Sequence, residues 1–409
     1  MKRIINISEF LAYWAIVLVP FSITIAPGLA NSFIWVMVFF FLIKKILKKE
    51  NIFIHTPLNL PFLLFFTAAL LSFKNTIDYG DSFRGLLKIF QNAVVFLVCA
   101  QEIKDKKHIF RIFLGITFAA AFASFDAGWQ LATGADFVWG RELKTAIGLT
   151  RATAAFPNPN VFGVYISATA PIILGMALYY FKGKAKIWML AFSVLVSFGV
   201  ISTFSRGTGL AFYCAILLIS IARKNKFISA SLILLLLIYP FIMPQKIRDW
   251  AKKINYNPVV FMLNSDRISI YRNSFNMIKQ HPILGLGVNT YCRNYSTYKL
   301  PEAAGAETAE HMYAHNNFLQ MAADLGLLGL VAFCFLLFRL FRYSARNYSL
   351  LNDNYLKVLS LCVGAALMAF LINGLTETSL YYSRVAMIFW YLVGLSLGLG
   401  KFINHEDSS

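Results

Sequence analysis

The 409-residue chain is 58% hydrophobic and only 14% charged, with 38 Lys and Arg against 19 Asp and Glu and a formal net charge of +19. Soluble globular domains carry about 25% charged residues, so this composition, with a mean hydropathy of +0.62, excludes an ordinary soluble core. Runs such as 34–43, 231–239 and 327–337 belong to longer apolar stretches, and about 20 such residues span the hydrocarbon of a bilayer.

Taken in chain order, the apolar stretches predict twelve transmembrane helices at 9–26, 29–47, 58–74, 84–101, 108–132, 159–181, 187–204, 207–223, 227–243, 315–338, 357–375 and 385–401. The fold class is therefore all-α and polytopic. The first stretch follows Lys2 and Arg3 and has no small-residue cleavage site after it, so it reads as a permanent span. The chain divides into helices one to five (1–132), a loop (133–158), helices six to nine (159–243), a large, largely helical loop domain (244–314), and helices ten to twelve with a tail (315–409).

Basic residues in the short connections set the orientation. Lys2 and Arg3, then Lys44, Lys45, Lys48 and Lys49, then Lys104, Lys106 and Lys107 fall on one side if the chain alternates. Lys182, Lys184 and Lys186, Arg223, Lys224 and Lys226, and Arg339, Arg342 and Arg346 fall on the same side. The opposite connections 27–28 and 75–82 hold no Lys or Arg. The positive-inside rule puts both termini in the cytoplasm and the two long polar segments outside. The larger, 244–314, carries nine Lys and Arg against five Asp and Glu, or 9 − 5 = +4. That charge suits an anionic partner such as a phosphate, pyrophosphate or lipid head group, and equally a solvated surface against membrane lipid. No nucleic-acid partner is expected.

Of the five cysteines, Cys99, Cys214, Cys334 and Cys362 lie in apolar stretches and only Cys292 in a polar loop, which gives neither a disulfide framework nor a zinc spacing. Among outward residues, Arg206 sits in TFSRGTGLAF between two apolar spans with no acidic neighbour in sequence, so it either snorkels or meets an anion. Arg267 and Arg272 lie in SDRISIYRNSFNMIKQHPILGLG, where Ile268, Tyr271, Phe275 and Ile278 recur at helical spacing as an amphipathic, surface-lying segment. Pro282, Gly285 and Gly287 end it in a turn. Arg151 precedes Asn158 and Pro159, a helix start for the sixth span, and joins the candidate basic cluster. His315 opens HNNFLQMAADLG, eleven residues or about three turns before Gly326, which places the two on one helix face. A histidine there serves as a base or as a cap. His311 and His315 are spaced as half of a metal site, with Glu307 and Glu310 nearby, but no metal is assigned. Asp324, nine residues beyond His315 in an apolar helix, is a supporting candidate.

In this order and spacing, three pieces resemble the O-antigen ligase family of bacterial inner-membrane proteins, within a superfamily that includes O-antigen polymerases. They are Arg206 with Leu210, the SDRISIYR…HPILGLG loop, and His315 with Gly326. The resemblance implies a metal-independent glycosyltransferase with no cofactor, working at the periplasmic face of the cell inner membrane. Its donor is a glycan on undecaprenyl pyrophosphate and its acceptor a lipid A core sugar. It implies His315 as general base, and Arg206 with Arg267 or Arg272 on the pyrophosphate. A polymerase joining carrier-linked repeats is the alternative. A polysaccharide transporter or lipid flippase is the rival from a different class, and it predicts charges at mid-membrane and matching halves, whereas here no internal repeat is evident and the notable charges gather at one face.

Overall fold

The computed structural model describes residues 1–146, 149–242, 245–300 and 313–403, and 79% of the chain is helical. Helices α1 (Lys2–Ile25), α2 (Pro27–Lys48), α3 (Asn59–Leu71), α4 (Tyr79–Glu102) and α5 (Lys106–Thr133) form the first group. They are followed by α6 (Pro159–Tyr179), α7 (Gly183–Ser202), α8 (Arg206–Ala222) and α9 (Lys226–Ile242). The last group is α13 (Asn317–Leu350), α14 (Asn354–Asn373) and α15 (Ser383–Leu399), preceded by α10 (Gln245–Lys253), α11 (Pro258–Gln280) and α12 (Tyr291–Tyr298) in the long polar segment. The chain is an all-α polytopic membrane protein.

A helix stands at each of the twelve expected spans, but among the described residues nine are long and apolar enough to cross a membrane. The other three are short: α3 has 13 residues before a 3₁₀ turn at Ser72–Asn75, and α8 and α9 have 17 each. At 1.5 Å per residue, α8 and α9 reach about 26 Å, the lower limit for a span. Ser205 caps α8 at one end and Arg223 stops it at the other, which limits its length. One departure from all-helix lies in the 133–158 loop, where β1 (Lys144–Ala146) pairs antiparallel with β2 (Leu149–Arg151) in a register that sets Lys144 opposite Arg151.

The core runs through α6, α14 and α15, whose side chains are buried nearly all round. Around it α6 packs on α7, α8 and α14, α4 on α15, α3 on α13, and α1 on α2 and α5. Local sequence explains the ends that matter here. Asn158 accepts from the Asn160 and Val161 amides with Pro159 at the first helical position, so α6 starts where that pair predicts. Asn257 and Pro258 repeat the device for α11, and Asn316 caps α13 through the Phe318 and Leu319 amides at 2.9 and 3.1 Å.

Helix α13 is broken. Gly326 has φ 68° and ψ −173°, a conformation open essentially to glycine alone. The turn of the HPILGLG motif fills the break. Leu286 N donates to Ala323 O at 2.9 Å, Gly287 N to Asp324 O at 3.0 Å, and Leu327 N to Pro282 O at 2.8 Å. A neighbouring loop thus supplies backbone partners that the helix itself cannot. On the other side of the turn, Asn75 Nδ2 donates to Gly285 O at 2.8 Å and Val288 N to Ser72 Oγ at 3.0 Å, which clamps it against the end of α3. The expected shared face of His315 and Gly326 is corrected by this geometry. His315 precedes the N-cap and lies outside the helix, and Gly326 ends its first segment.

The face of α11 that is buried in the protein is a different one from the stripe of Ile268, Tyr271, Phe275 and Ile278. Ile270, Asn273, Ser274 and Met277 are the buried side chains, while Phe275 is exposed. Asn273 Nδ2 donates to Tyr295 Oη at 2.8 Å and Ser274 Oγ bonds Tyr291 Oη at 2.7 Å, so α11 seats on α12 through a partly polar face.

Candidate active site

The turns that join helices at one end of the bundle converge on a cluster of charge. The α7–α8 connection is so short that Phe204 takes a left-handed conformation, φ 44°, before Ser205 caps α8 and Arg206 becomes its first residue. A helix start carries partial positive charge, and Arg206 adds a full one. Its Nη1 donates to Phe261 O of α11 and its guanidinium lies 5.8 Å from the Phe261 ring centroid.

Arg151, at the end of β2, reaches the same place. Its Nε donates to Thr203 O at 2.8 Å and its Nη2 to Asn160 Oδ1 at 2.7 Å. Burial and the charge of Arg267 push this guanidinium below its ordinary pKa, while Glu377 acts the other way. The α14 end is tied in by Asn373, whose Nδ2 donates to Ser167 Oγ of α6 and Thr208 Oγ1 of α8, both at 3.2 Å.

From α11, Arg267 forms an ion pair with Glu377 in the α14–α15 connection, and Glu377 Oε2 also lies 3.4 Å from His315 Nδ1. Glu377 is only 4% exposed. Burial by itself would raise its pKa, yet the His315 hydrogen bond and the Arg267 charge more than offset that and hold it below 4.5. One turn along α11, Tyr271 donates to His315 O at 3.1 Å and Leu375 O at 2.7 Å, and Asn316 Nδ2 donates to Leu375 O at 3.0 Å. These bonds hold His315 in its left-handed conformation, φ 47°, a strain of the kind that gathers at functional sites.

The geometry therefore joins Arg151, Arg206, Arg267 and His315. Arg151 and Arg267 lie within electrostatic reach of Glu377, and Arg206 within reach of both arginines, so the place holds three guanidinium groups and one carboxylate, 3 − 1 = +2 before His315 is counted. Arg272 is exposed. Five residues turn a helix through 500°, which leaves Arg267 and Arg272 about 140° apart, so one face cannot carry both. Asp324 is fully buried but stands in a different wall, accepting from Tyr291 N at 2.9 Å and Gln320 Nε2 at 3.3 Å. His311, with Glu307 and Glu310, lies outside the described residues.

Sequence reasoning missed Glu377, Tyr271 as a hydroxyl, and Asn316. The signal for Glu377 was its place as the acid of the short connection between the last two spans. It also missed Arg384, buried in the first turn of α15, which donates to Ile23 O, Thr24 O and Ala155 O at 2.9, 3.0 and 2.7 Å and stacks on Phe156 at 4.3 Å. This cation closes the C-terminal end of α1 and fixes the segment that leads from Arg151 into α6.

Chemically, the cluster can hold a polyanion on arginine forks beside a histidine oriented by a carboxylate. The model of the O-antigen ligase family matches residues 191–334, about a third of the chain. The match takes in Arg206, Arg267, Arg272 and His315 and leaves Arg151 and Glu377 outside it. The family whose model matches is the one that the sequence resembles. No curated protein matches the chain.

Proposed function

We propose that this protein is a membrane glycosyltransferase that moves a polysaccharide from undecaprenyl pyrophosphate to a sugar of the lipid A core, at the periplasmic face of the inner membrane. The observation that carries the reading is the union of Arg151, Arg206 and Arg267 with the His315–Glu377 pair at one end of an apolar bundle. A sugar pyrophosphate has a leaving group that needs cations, and an incoming alcohol needs a base.

In the proposed step an acceptor hydroxyl oxygen attacks the anomeric carbon of the donor, and the bond from that carbon to the pyrophosphate oxygen breaks. The hydroxyl proton passes to His315. With Nδ1 turned to Glu377, Nε2 is the nitrogen that accepts it, and Glu377 stabilises the imidazolium as it forms. The carrier pyrophosphate leaves with its charge met by Arg206 and Arg267, with Arg151 behind them. A positioned base contributes about 10²–10⁴-fold, and preorganised cations at the developing charge add the larger share. This chemistry draws on the chain's own side chains and needs no cofactor.

The basic short connections support cytoplasmic termini and an outward site. A polymerase would use the same donor chemistry with a second carrier-linked glycan as acceptor. The transporter reading is disfavoured because the clustered charges gather at one end of the bundle.

The test is a deletion strain complemented with the wild-type gene or His315→Ala. Expected is loss of polysaccharide-capped lipid A core with accumulation of long carrier-linked chains, rescued by wild type and not by an inserted, stable His315→Ala protein. Capping by single repeat units would mark a polymerase instead, and normal capping by the His315→Ala protein would overturn the base.

A further inference from the structure

Next to the arginine cluster, the same end of the bundle holds a second cavity of about 590 Å³ between α4, α12 and the start of α13. The cluster residues do not line it. The two meet at the 313–320 turn, where Tyr313 and Gln320 face the cavity and His315 faces Glu377.

Its walls combine an aromatic ring, amides and cations. Tyr313 is braced by Tyr382 with ring centroids 5.6 Å apart, and Asn289 and Gln320 supply amide groups. Arg84 and Arg293 are both matched by Asp81, at 2.7 and 2.9 Å. Lys88 is different. It lies nine residues into α4, about 13 Å below the helix start, and among the described residues no carboxylate stands within ion-pair distance of it. A lysine at such a depth, turned to a cavity, is a functional candidate by default. The apolar cleft beneath, lined by Phe65, Ile89, Met321 and Trp390, also borders Lys88.

The cavity is also built rigidly. Asp324 behind it holds Gln320 Nε2, Tyr291 N and the Tyr381 hydroxyl. Gln320 Oε1 in turn accepts from Ala314 N at 2.8 Å, one residue from His315. A buried carboxylate thus orients a wall that is coupled to the base, an arrangement that fixes side chains by supporting bonds.

A ring with an apolar face, hydroxyls at its edge and one negative substituent fits this set of groups. In an in-line displacement the nucleophile enters opposite the leaving group, so the side of the 313–320 turn away from the arginines belongs to the acceptor. Resting on the glycosyl-transfer reading, we infer that this cavity receives the acceptor sugar, with an anionic substituent on Lys88 and hydroxyls on Asn289 and Gln320.

The test uses the full chain in lipid nanodiscs with the carrier-linked donor and lipid A core glycolipid, native or phosphatase-treated. Lys88→Gln is expected to raise the KM for the native acceptor about tenfold, with kcat within about twofold and donor KM unchanged, and Lys88→Arg to restore it. The wild type and Lys88→Gln should then share one KM for the treated acceptor. An effect that survives phosphatase treatment supports the site with a carboxylate in place of phosphate. A rise in donor KM alone, or constants unchanged with both acceptors, would overturn the inference. An inert wild type sinks the proposed function itself, whereas an active wild type with an indifferent Lys88→Gln sinks only this site.

Discussion

Glu377→Gln separates a carboxylate that assists the base from one that merely neutralises an arginine. The amide keeps the shape and one accepting oxygen but removes the charge that lies 3.4 Å from His315 Nδ1. At an effective dielectric of 20, a full charge pair at that separation is worth 332/(20 × 3.4), or about 5 kcal/mol. Half-transfer of the proton in the transition state brings this to about 2.5 kcal/mol. Arg267 occupies the same carboxylate and lowers the share to about 2 kcal/mol. That is about a 30-fold loss in kcat at 1.36 kcal/mol per decade. Donor KM should not rise, because Arg267 loses its internal partner and keeps its charge for the pyrophosphate. Initial rates over a donor series, on protein whose thermal unfolding is checked alongside, give both constants. A kcat within threefold of wild type would refute the coupling of Glu377 to the base. A raised donor KM with an unchanged kcat would assign it to Arg267 alone.

Two further outcomes follow from the same geometry. Gly326→Ala puts a Cβ onto the Ile283 carbonyl in a backbone region closed to alanine. It should destabilise the protein by about 3 kcal/mol or more, so a wild-type unfolding midpoint would contradict the spliced helix. The pKa of Glu377 is depressed below 4.5 in the folded protein, so its pairing stabilises the fold above that pH and is lost as pH falls through the lower folded value. Arg267, His315, Arg151, Tyr271 and Tyr382 are the charged and titratable neighbours of that group among the described residues. The difference in unfolding midpoint between wild type and Glu377→Gln should therefore shrink below pH 4.5, and a difference that grows with acid would contradict the sign.

What could be read in advance was what depends on local pattern. Hydropathy located the helices, the Asn158–Pro159 pair fixed the start of α6, and charge in the short connections grouped Arg206, Arg267 and His315. The choice between Arg267 and Arg272 needed only the 140° between them, but the reference direction, the seat of α11 on Asn273 and Ser274, comes from α12. Glu377 stands 110 residues from Arg267 and 62 from His315, a pairing that no periodicity encodes. The break at Gly326 is hidden for the same reason, since its backbone partners arrive from the turn at 282–287.

There is a common cause beneath these failures. Ala154, Phe204 and His315 all adopt left-handed backbone, with φ of 46°, 44° and 47°. Ala154 stands three residues after Arg151, Phe204 two before Arg206, and His315 is itself a cluster member. Each such residue costs about 1–2 kcal/mol, and none belongs to a helix. The cluster is therefore assembled at or beside the turns between helices, with Arg151 ending β2, Arg206 opening α8 and His315 preceding α13, while Arg267 lies within α11. A reading based on helical faces places such side chains at the right end of the bundle and in the wrong orientation, as it did for His315 and Gly326. The strain is sustained by half-buried bonds from neighbouring elements, from Tyr271 to the His315 carbonyl and from Arg151 to the Thr203 carbonyl beside Phe204. Arg151 is thus both a member of the cluster and a support for its strained neighbour, and a substitution at Arg151 or Tyr271 acts on the position of its neighbours as well as on its own contact.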